Sequence, residues 1–260
     1  MSTTSWIVFG VLAWLVFVAV VEGVVLPRLR GQLQGGTDPL TGLLALVVRV
    51  YVRLVHRVSV EGAEHVPARV PPEGLVIVAN HGAGVDPLLL QAVCPFHIRW
   101  MMLSEMMIAP LDWFWRRERI IAVDQNGRDL AGAREAIRHL KASGVLGIFP
   151  EGGIARPRGV VLPFMSGVGL LVARSHAAVL LTWIHSTPET PTAWGSLVRP
   201  SRSRVRFVGL MRFEHRSDAA EVAAALRQRL VEVSGWMPVD HALAVETVAP
   251  TATASSEAQD

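Results

Sequence analysis

The chain has 260 residues, 51% hydrophobic and 18% charged, with a mean hydropathy of +0.37. That balance is too apolar for an ordinary soluble enzyme and too polar for a protein of many membrane spans; the length suits one large domain with attachments. The net charge of +3 comes mostly from arginine, and no dense basic run carries interleaved aromatics, which argues against nucleic acid and for an anionic membrane surface as partner.

In chain order, Trp6 to Val25 is a run of 20 residues with one charge, Glu22. As a helix it reaches about 30 Å, the thickness of the hydrocarbon core of a bilayer. It lacks the positive start and small-residue cleavage site of a signal peptide, so it reads as an uncleaved anchor that spans the bilayer or lies shallowly in it. Arg28 and Arg30 follow directly, which places that flank and the body of the chain on the cytoplasmic side. A second apolar stretch, Pro39 to Val60, sets Arg49, Arg53 and Arg57 four residues apart. On a helix they form one stripe. This is either a helix in the membrane interface, its arginines among lipid phosphates, or a core helix with three solvated arginines. Residues 1–57 are thus expected to hold the N-terminal hydrophobic membrane-anchoring helices.

Past Ser59 the pattern becomes short apolar runs separated by helical stretches. Strands are expected at Leu75 to Ala79, Ile120 to Val123, Val145 to Phe149, Val179 to Ile184 and Val205 to Leu210. Helices are expected over Arg128 to Ser143, Ser166 to Ala177 and Ala219 to Val233. The alternation predicts a layered α/β domain over residues 58–245. The tail, residues 246–260, is rich in Ala, Thr and Ser without apolar periodicity and is expected to be disordered. Cys94 is the one cysteine, which excludes an intrachain disulfide and a cysteine-based zinc site; no metal is expected.

Two loops carry candidate chemistry. The first is Asn80-His81-Gly82-Ala83-Gly84-Val85-Asp86-Pro87, directly after an expected strand. The glycines permit a tight loop that turns Asp86 back toward the imidazole, at the sheet edge where α/β folds place ligands. Asp86-Pro87 also reads as a helix start, with Asp at the N-cap and Pro at N1. The second is Phe149-Pro150-Glu151-Gly152-Gly153, where another buried strand ends at a carboxylate. If the two strands are parallel neighbours, Glu151 shares an edge with His81; otherwise it is a solvated turn residue.

Together, in this order, the motifs resemble the glycerolipid acyltransferase family, typified by lysophosphatidate and glycerol-phosphate acyltransferases. The resemblance runs from about Val58 to Ala225 and includes the lead-in Val60-Glu61-Gly62-Ala63-Glu64-His65-Val66-Pro67. It implies a central mixed sheet flanked by helices, His81 and Asp86 as catalytic pair, and Glu151 with Gly152 in the acceptor site. The hydrophobic front end matches the family as well. The chain departs from the family pattern at several points. The apolar run Ile120 to Asp124 is followed by Gln125 instead of Arg, with Arg128 three positions on. After Glu151-Gly152 come Gly153 and Ile154 where the family often has Thr and Arg, then Arg156 and Arg158. The strand Val179 to Ile184 lacks the family's proline. Either Arg128, Arg156 and Arg158 replace the missing acceptor-phosphate arginines, or the acceptor is not a simple glycerol phosphate.

The implied reaction moves a fatty acyl group from acyl-CoA or acyl-carrier protein, as co-substrate, to the hydroxyl of a lysophospholipid or related acceptor, with no cofactor. His81 acts as general base and Asp86 orients it. Backbone N–H groups at Gly82 to Gly84, or the helix start after Pro87, hold the oxyanion. No Ser or Cys nucleophile is needed. Ser166-Gly167 lacks the preceding glycine of a nucleophile elbow, and Cys94 reads as packing. The remaining histidines read as packed or solvated. Trp113-Phe114-Trp115 with Met101, Met102, Met106 and Met107 reads as core or membrane-facing surface, with an acyl-chain pocket wall as the alternative. Two rival functions use the same residues: a thioester hydrolase, and a non-catalytic lipid-binding protein that retains the fold.

Overall fold

The computed structural model describes Trp14 and residues 16–30, 38–124, 130–214 and 217–239. The helices are α1 (Leu26–Arg30), α2 (Pro39–Val55), α3 (Asp86–Val93), α4 (Asp112–Arg117), α5 (Leu130–Lys141), α6 (Ser166–Ser175), α7 (Gly195–Val198) and α8 (Ala219–Ser234). The strands are β1 (Ser59–Glu61), β2 (Leu75–Ala79), β3 (Arg99–Leu103), β4 (Ile121–Val123), β5 (Val145–Ile148), β6 (Val160–Val161), β7 (Ala178–His185), β8 (Arg204–Met211) and β9 (Met237–Pro238).

Seven of these strands form one sheet in the order β1-β8-β7-β2-β5-β3-β4, and β6 pairs with β9 separately. From β7 to β4 neighbouring strands are parallel, while β8 runs antiparallel to β7 and carries β1 parallel to itself. The sheet is therefore mixed, and its central strands are buried on both faces, as their near-continuous Val, Ile and Leu content requires.

The two-residue period of a strand divides the core. Leu75, Ile77 and Ala79 of β2, with Ala178, Leu180 and Ile184 of β7, pack on one face with Leu89 and Leu90 of α3 and Val52 of α2. Val76 and Val78, with Val179 and Leu181, pack on the other face with Leu140 of α5, Leu171 and Val172 of α6 and Leu226 of α8. A one-residue slip in β2 would exchange these two sets, so register and layer assignment specify each other.

Helix ends follow local chemistry. Asp38 caps α2, its Oδ1 accepting from the Leu40 and Thr41 amides at 3.0 and 3.2 Å, with Pro39 preset at the first turn. Asp218 does the same for α8, which stops at Gly235 in a left-handed conformation, φ 65°.

The second apolar stretch does form a helix, with one face buried on the domain and another exposed. α2 buries Thr41, Gly42, Ala45 and Val52 and exposes Leu40, Leu43, Leu46, Val47, Val50 and Leu54. The Tyr51 hydroxyl bonds to His56 Nε2 at 2.9 Å and to the Leu197 carbonyl, tying the helix to the domain. Arg57 is not on the helical stripe: the helix ends at Val55, and Arg57 follows with φ 42°.

Ahead of α2, α1 is preceded by a π-helical turn at Val21–Val25, and Trp14, Val16, Phe17 and Val20 are exposed. No helix among the described residues is long and apolar enough to cross a membrane. The expected anchor, Trp6 to Val25, falls partly outside the described residues, and the expected disordered tail, 246–260, falls wholly outside them.

Candidate active site

The parallel pairing of β2 with β5 runs Leu75↔Val145 through Val78↔Ile148, a constant offset of 70 residues. Continued three residues past Val78, that offset sets His81 against Glu151 at the C-terminal edge. β2, β5 and β7 all end here, so the loops after them converge. Asn80 locks the junction: its Nδ2 donates to the Ile184 carbonyl and its Oδ1 accepts from the Ile184 amide, both at 2.8 Å. This side chain is buried and holds the end of β2 to β7 just before His81.

His81 Nδ1 lies 3.0 Å from Asp86 Oδ2. The same Oδ2 accepts from the Gly82 and Ala83 amides, each at 2.8 Å. Asp86 is the first residue of α3 and fully buried, yet it makes no helix-cap bond; its carboxylate turns back into the loop instead. Three donors on one oxygen, two of them fixed backbone, leave the carboxylate's orientation no freedom. Oδ1 is buried without a partner among the described residues. Imidazole Nδ1 therefore carries the proton toward Asp86, which makes Nε2 the basic nitrogen. Nε2 bonds to none of the described residues, and the His81 side chain is 17% exposed. This arrangement can accept a proton from a bound hydroxyl and return it to a leaving group.

Gly84 is required by a close approach: a Cβ there would sit 2.3 Å from the Ala193 carbonyl oxygen. The Gly82 amide, expected as an oxyanion donor, is instead occupied by Asp86. At the helix start, the Asp86 amide bonds to Ala83 and those of Leu88 and Leu89 to Val85, so they too are occupied. The Gly84 amide makes no hydrogen bond among the described residues.

The segment after β5 braces this loop from below. The Ala155 amide donates to the His81 carbonyl at 2.8 Å, and Arg156 Nη1 donates to the Gly82 carbonyl at 3.1 Å. Arg156 Nη2 reaches the Thr190 carbonyl at 3.2 Å, so its guanidinium clamps two loops together. Glu151 is 7% exposed, and neither carboxyl oxygen closes a hydrogen bond within the described residues. Burial pushes its carboxyl up to about 8, helped by the nearby Asp86 charge and opposed by the main-chain amides of His81 and Leu162. Enclosed in this way, Glu151 is not the solvated turn residue that is the alternative reading of its motif. Gly152 beside it has φ 74°, a conformation that favours glycine, and its amide donates to the Phe149 carbonyl at 3.2 Å.

Arg158 differs from Arg156. Its Nη1 donates to the Thr187 carbonyl and its Nε lies 3.7 Å from Glu189, but Nη2 is enclosed with no partner among the described residues. Burial lowers its pKa from the ordinary arginine value, with the Glu189 carboxylate opposing. Arg128, the third expected cation, lies outside the described residues.

Two aromatic residues complete the site. The Phe149 ring stacks on the His81 imidazole, centroids 4.2 Å apart and planes 14° from parallel. Trp100 stacks behind Phe149 at 5.2 Å and 8°. Sequence reasoning assigned neither a role. For Phe149 a signal existed in the strand offset, which brings the second motif beside His81; for Trp100, on the unrecognised strand β3, there was none.

The family model described as Acyltransferase matches residues 57–186, half of the chain and all of both motif loops. The chain belongs to the acyltransferase family. A similar solved structure is the crystal structure of the 1-acyl-sn-glycerophosphate (LPA) acyltransferase PlsC from Thermotoga maritima. It is 19% identical, with a TM-score of 0.62 over 85% of this chain and 91% of that chain, a likeness of fold. No curated protein matches the chain.

Elsewhere in this acyltransferase, other histidines do structural work. His56 is buried between Tyr51 and Ser201, and His97 Nε2 lies 2.7 Å from Glu118 Oε2. His139 Nε2 meets the Val145 carbonyl at 3.1 Å. Burial pushes the Cys94 thiol up to about 12, which keeps it protonated and inert. Trp115 is buried and Trp113 exposed, while Met101 packs against the core, so the aromatic and methionine cluster divides between core and surface.

Proposed function

We propose that this acyltransferase moves a fatty acyl group from the thioester of acyl-CoA or acyl-carrier protein to the hydroxyl of a lysophospholipid or glycerol-phosphate-type acceptor. The observation that carries the reading is the His81 Nδ1 to Asp86 Oδ2 contact of 3.0 Å, with Nε2 left open. Nε2 takes the proton of the acceptor hydroxyl as its oxygen attacks the thioester carbonyl. Asp86, held by three donors, keeps the tautomer and stabilises the imidazolium. The C–S bond breaks, and the imidazolium returns its proton to the departing thiolate. The chain needs no nucleophile of its own, because the acceptor attacks an activated ester directly.

Of the expected oxyanion donors, Gly84 is the glycine whose amide is unoccupied, and the role passes to it. Arg158, with its unpartnered Nη2, is our assignment for the anionic group of the acceptor, while Arg156 supports the His81 loop. Lipid substrates place the reaction at a membrane, and the exposed Leu43, Val47, Val50 and Leu54 of α2 suit one. The run Trp6 to Val25 supplies the anchor in this reading, with the catalytic domain on the cytoplasmic side and membrane lipid as its surroundings.

The test supplies the full chain, in detergent, with radiolabelled acyl-CoA and then acyl-carrier protein, against lysophosphatidate and other lysolipids. Labelled diacyl product supports the reading and names the acceptor. Free fatty acid without product, at the same His81-dependent rate, would replace it with thioester hydrolysis. Lipid binding without turnover of any donor would replace it with the non-catalytic binder.

A further inference from the structure

Residues 186–203, which join β7 to β8, pack as a strap against the His81 loop and its supports. Three strap carbonyls make the contact. That of Thr187 accepts from Arg158 and that of Thr190 from Arg156 at 3.2 Å, while that of Ala193 lies so near Gly84 that no Cβ fits between them. The Ala193 carbonyl also accepts from the Ser196 hydroxyl at 2.6 Å and the Ser196 amide at 3.3 Å, which ties it to the single turn of α7. The placement of α7 therefore sets the surface on which the Gly84 backbone rests.

A buried row of polar side chains holds α7 from its other side. Tyr51 of α2 donates its hydroxyl to the Leu197 carbonyl. A phenol has one proton and a carbonyl can only accept, so the Tyr51 oxygen accepts in its second bond, from His56 Nε2–H at 2.9 Å. Nδ1 of His56 is then the bare nitrogen, and it accepts from the Ser201 hydroxyl at 2.9 Å. With its proton committed, Ser201 accepts in turn from Ser203 at 2.8 Å. Each bond fixes the direction of the next, giving one chain from Ser203 to the Leu197 carbonyl. The chain needs a neutral imidazole. Burial holds the His56 pKa below the ordinary histidine value, opposed by the Leu197 carbonyl and the Asp86 charge. A polar chain with every member satisfied selects one arrangement of the segments it joins, which apolar packing alone would not.

We propose that Tyr51 and His56 are positioning residues for acyl transfer: they anchor Leu197 so that the Ala193 carbonyl holds Gly84, whose amide is the assigned oxyanion donor. The other ties of the strap lie on either side of this point. Arg158 and Arg156 hold Thr187 and Thr190 ahead of it. The Ser201 and Ser203 amides, bonded to the Val55 and His56 carbonyls at 3.2 and 3.0 Å, hold the strap after it. The Tyr51 hydroxyl is the contact from α2 that reaches α7 itself. The positioning role rests on the proposed acyl transfer; the anchor does not.

The experiment compares the full chain in detergent with Tyr51→Phe, Ser201→Ala, the double variant, and Val172→Ala, a core truncation on the opposite face of the sheet. Steady-state transfer from acyl-CoA to lysophosphatidate is measured beside deuterium exchange of residues 81–86 and 193–198. Tyr51→Phe is expected to lower kcat on the order of tenfold with KM nearly unchanged for both substrates, and to speed exchange in both segments. The double variant falls no further than Tyr51→Phe, because both changes act through the one bond to Leu197. Val172→Ala lowers the melting temperature and does neither. Wild-type kcat in Tyr51→Phe, or an equal loss of kcat in Val172→Ala, would overturn the positioning role. A wild type that transfers no acyl group would remove the reaction and leave exchange to decide the anchor. Faster exchange in Tyr51→Phe then upholds it, and equal exchange overturns it.

Discussion

The His81 imidazole lies flat against the Phe149 ring, centroids 4.2 Å apart. Asp86 fixes one ring nitrogen of His81, but a single hydrogen bond leaves the ring free to rock about it. Phe149 removes that freedom by holding the plane, and Trp100 in turn holds Phe149. Phe149→Ala is expected to lower kcat about tenfold with little change in KM, because the base is present but poorly aimed. Steady-state kinetics on both substrates provide the check; an unchanged kcat would mean the stack only fills space.

The stack depends on a glycine. A Cβ at Gly147 would lie 2.5 Å from Cε3 and Cζ3 of Trp100 and 2.8 Å from Cγ2 of Ile98. These are ring and branched-chain atoms in a packed core, with little room to withdraw. Gly147→Ala should cost about 1–3 kcal/mol of stability by overpacking. Thermal denaturation should show a melting temperature lower by several degrees, together with reduced kcat.

Much of this architecture is legible in the sequence because the buried central strands announce themselves. Leu75–Ala79 and Val145–Ile148 are apolar runs bounded by turns, and their pairing as parallel neighbours, which no local pattern encodes, sets His81 and Glu151 on one edge. β3 was hidden because Arg99–Leu103 carries methionines and tryptophan in place of β-branched residues, so its apolar run reads as a generic cluster. β1 was hidden because its three residues are all exposed, which leaves no burial pattern. The roles of Arg156 and Glu151 were illegible for another reason. Whether a polar side chain faces a ligand or a neighbouring loop depends on the closure of three distant segments, and no local pattern encodes that.

Glu151 has a pH signature. Burial raises its carboxyl from 4.5 to about 8. Between these values the folded chain holds a proton that the unfolded chain releases, so folding is progressively disfavoured as pH rises through the window. Glu151→Gln removes this titration. Its melting temperature relative to wild type should therefore climb between about pH 5 and about pH 9. Parallel curves for the two proteins would rule out a neutral buried carboxyl.

The two arginines after β5 should behave differently. Arg158→Gln removes a guanidinium whose Nη2 has no partner among the described residues, and KM for an anionic acceptor should rise about 10- to 100-fold, with about 1 kcal/mol of stability lost with the bond to the Thr187 carbonyl. Arg156→Gln leaves the Gly82 and Thr190 carbonyls without their donor and should cost about 1–3 kcal/mol of stability. Kinetics and melting curves on both variants separate ligand contact from loop clamp.

The central claim is that His81 is the base that activates the acceptor hydroxyl. The direct measurement is kcat/KM for acyl transfer by His81→Ala beside wild type, on the acceptor that wild type prefers, with melting curves confirming that both are folded. The account predicts a fall on the order of 10² to 10⁴-fold. Equal rates in two equally folded proteins would contradict it.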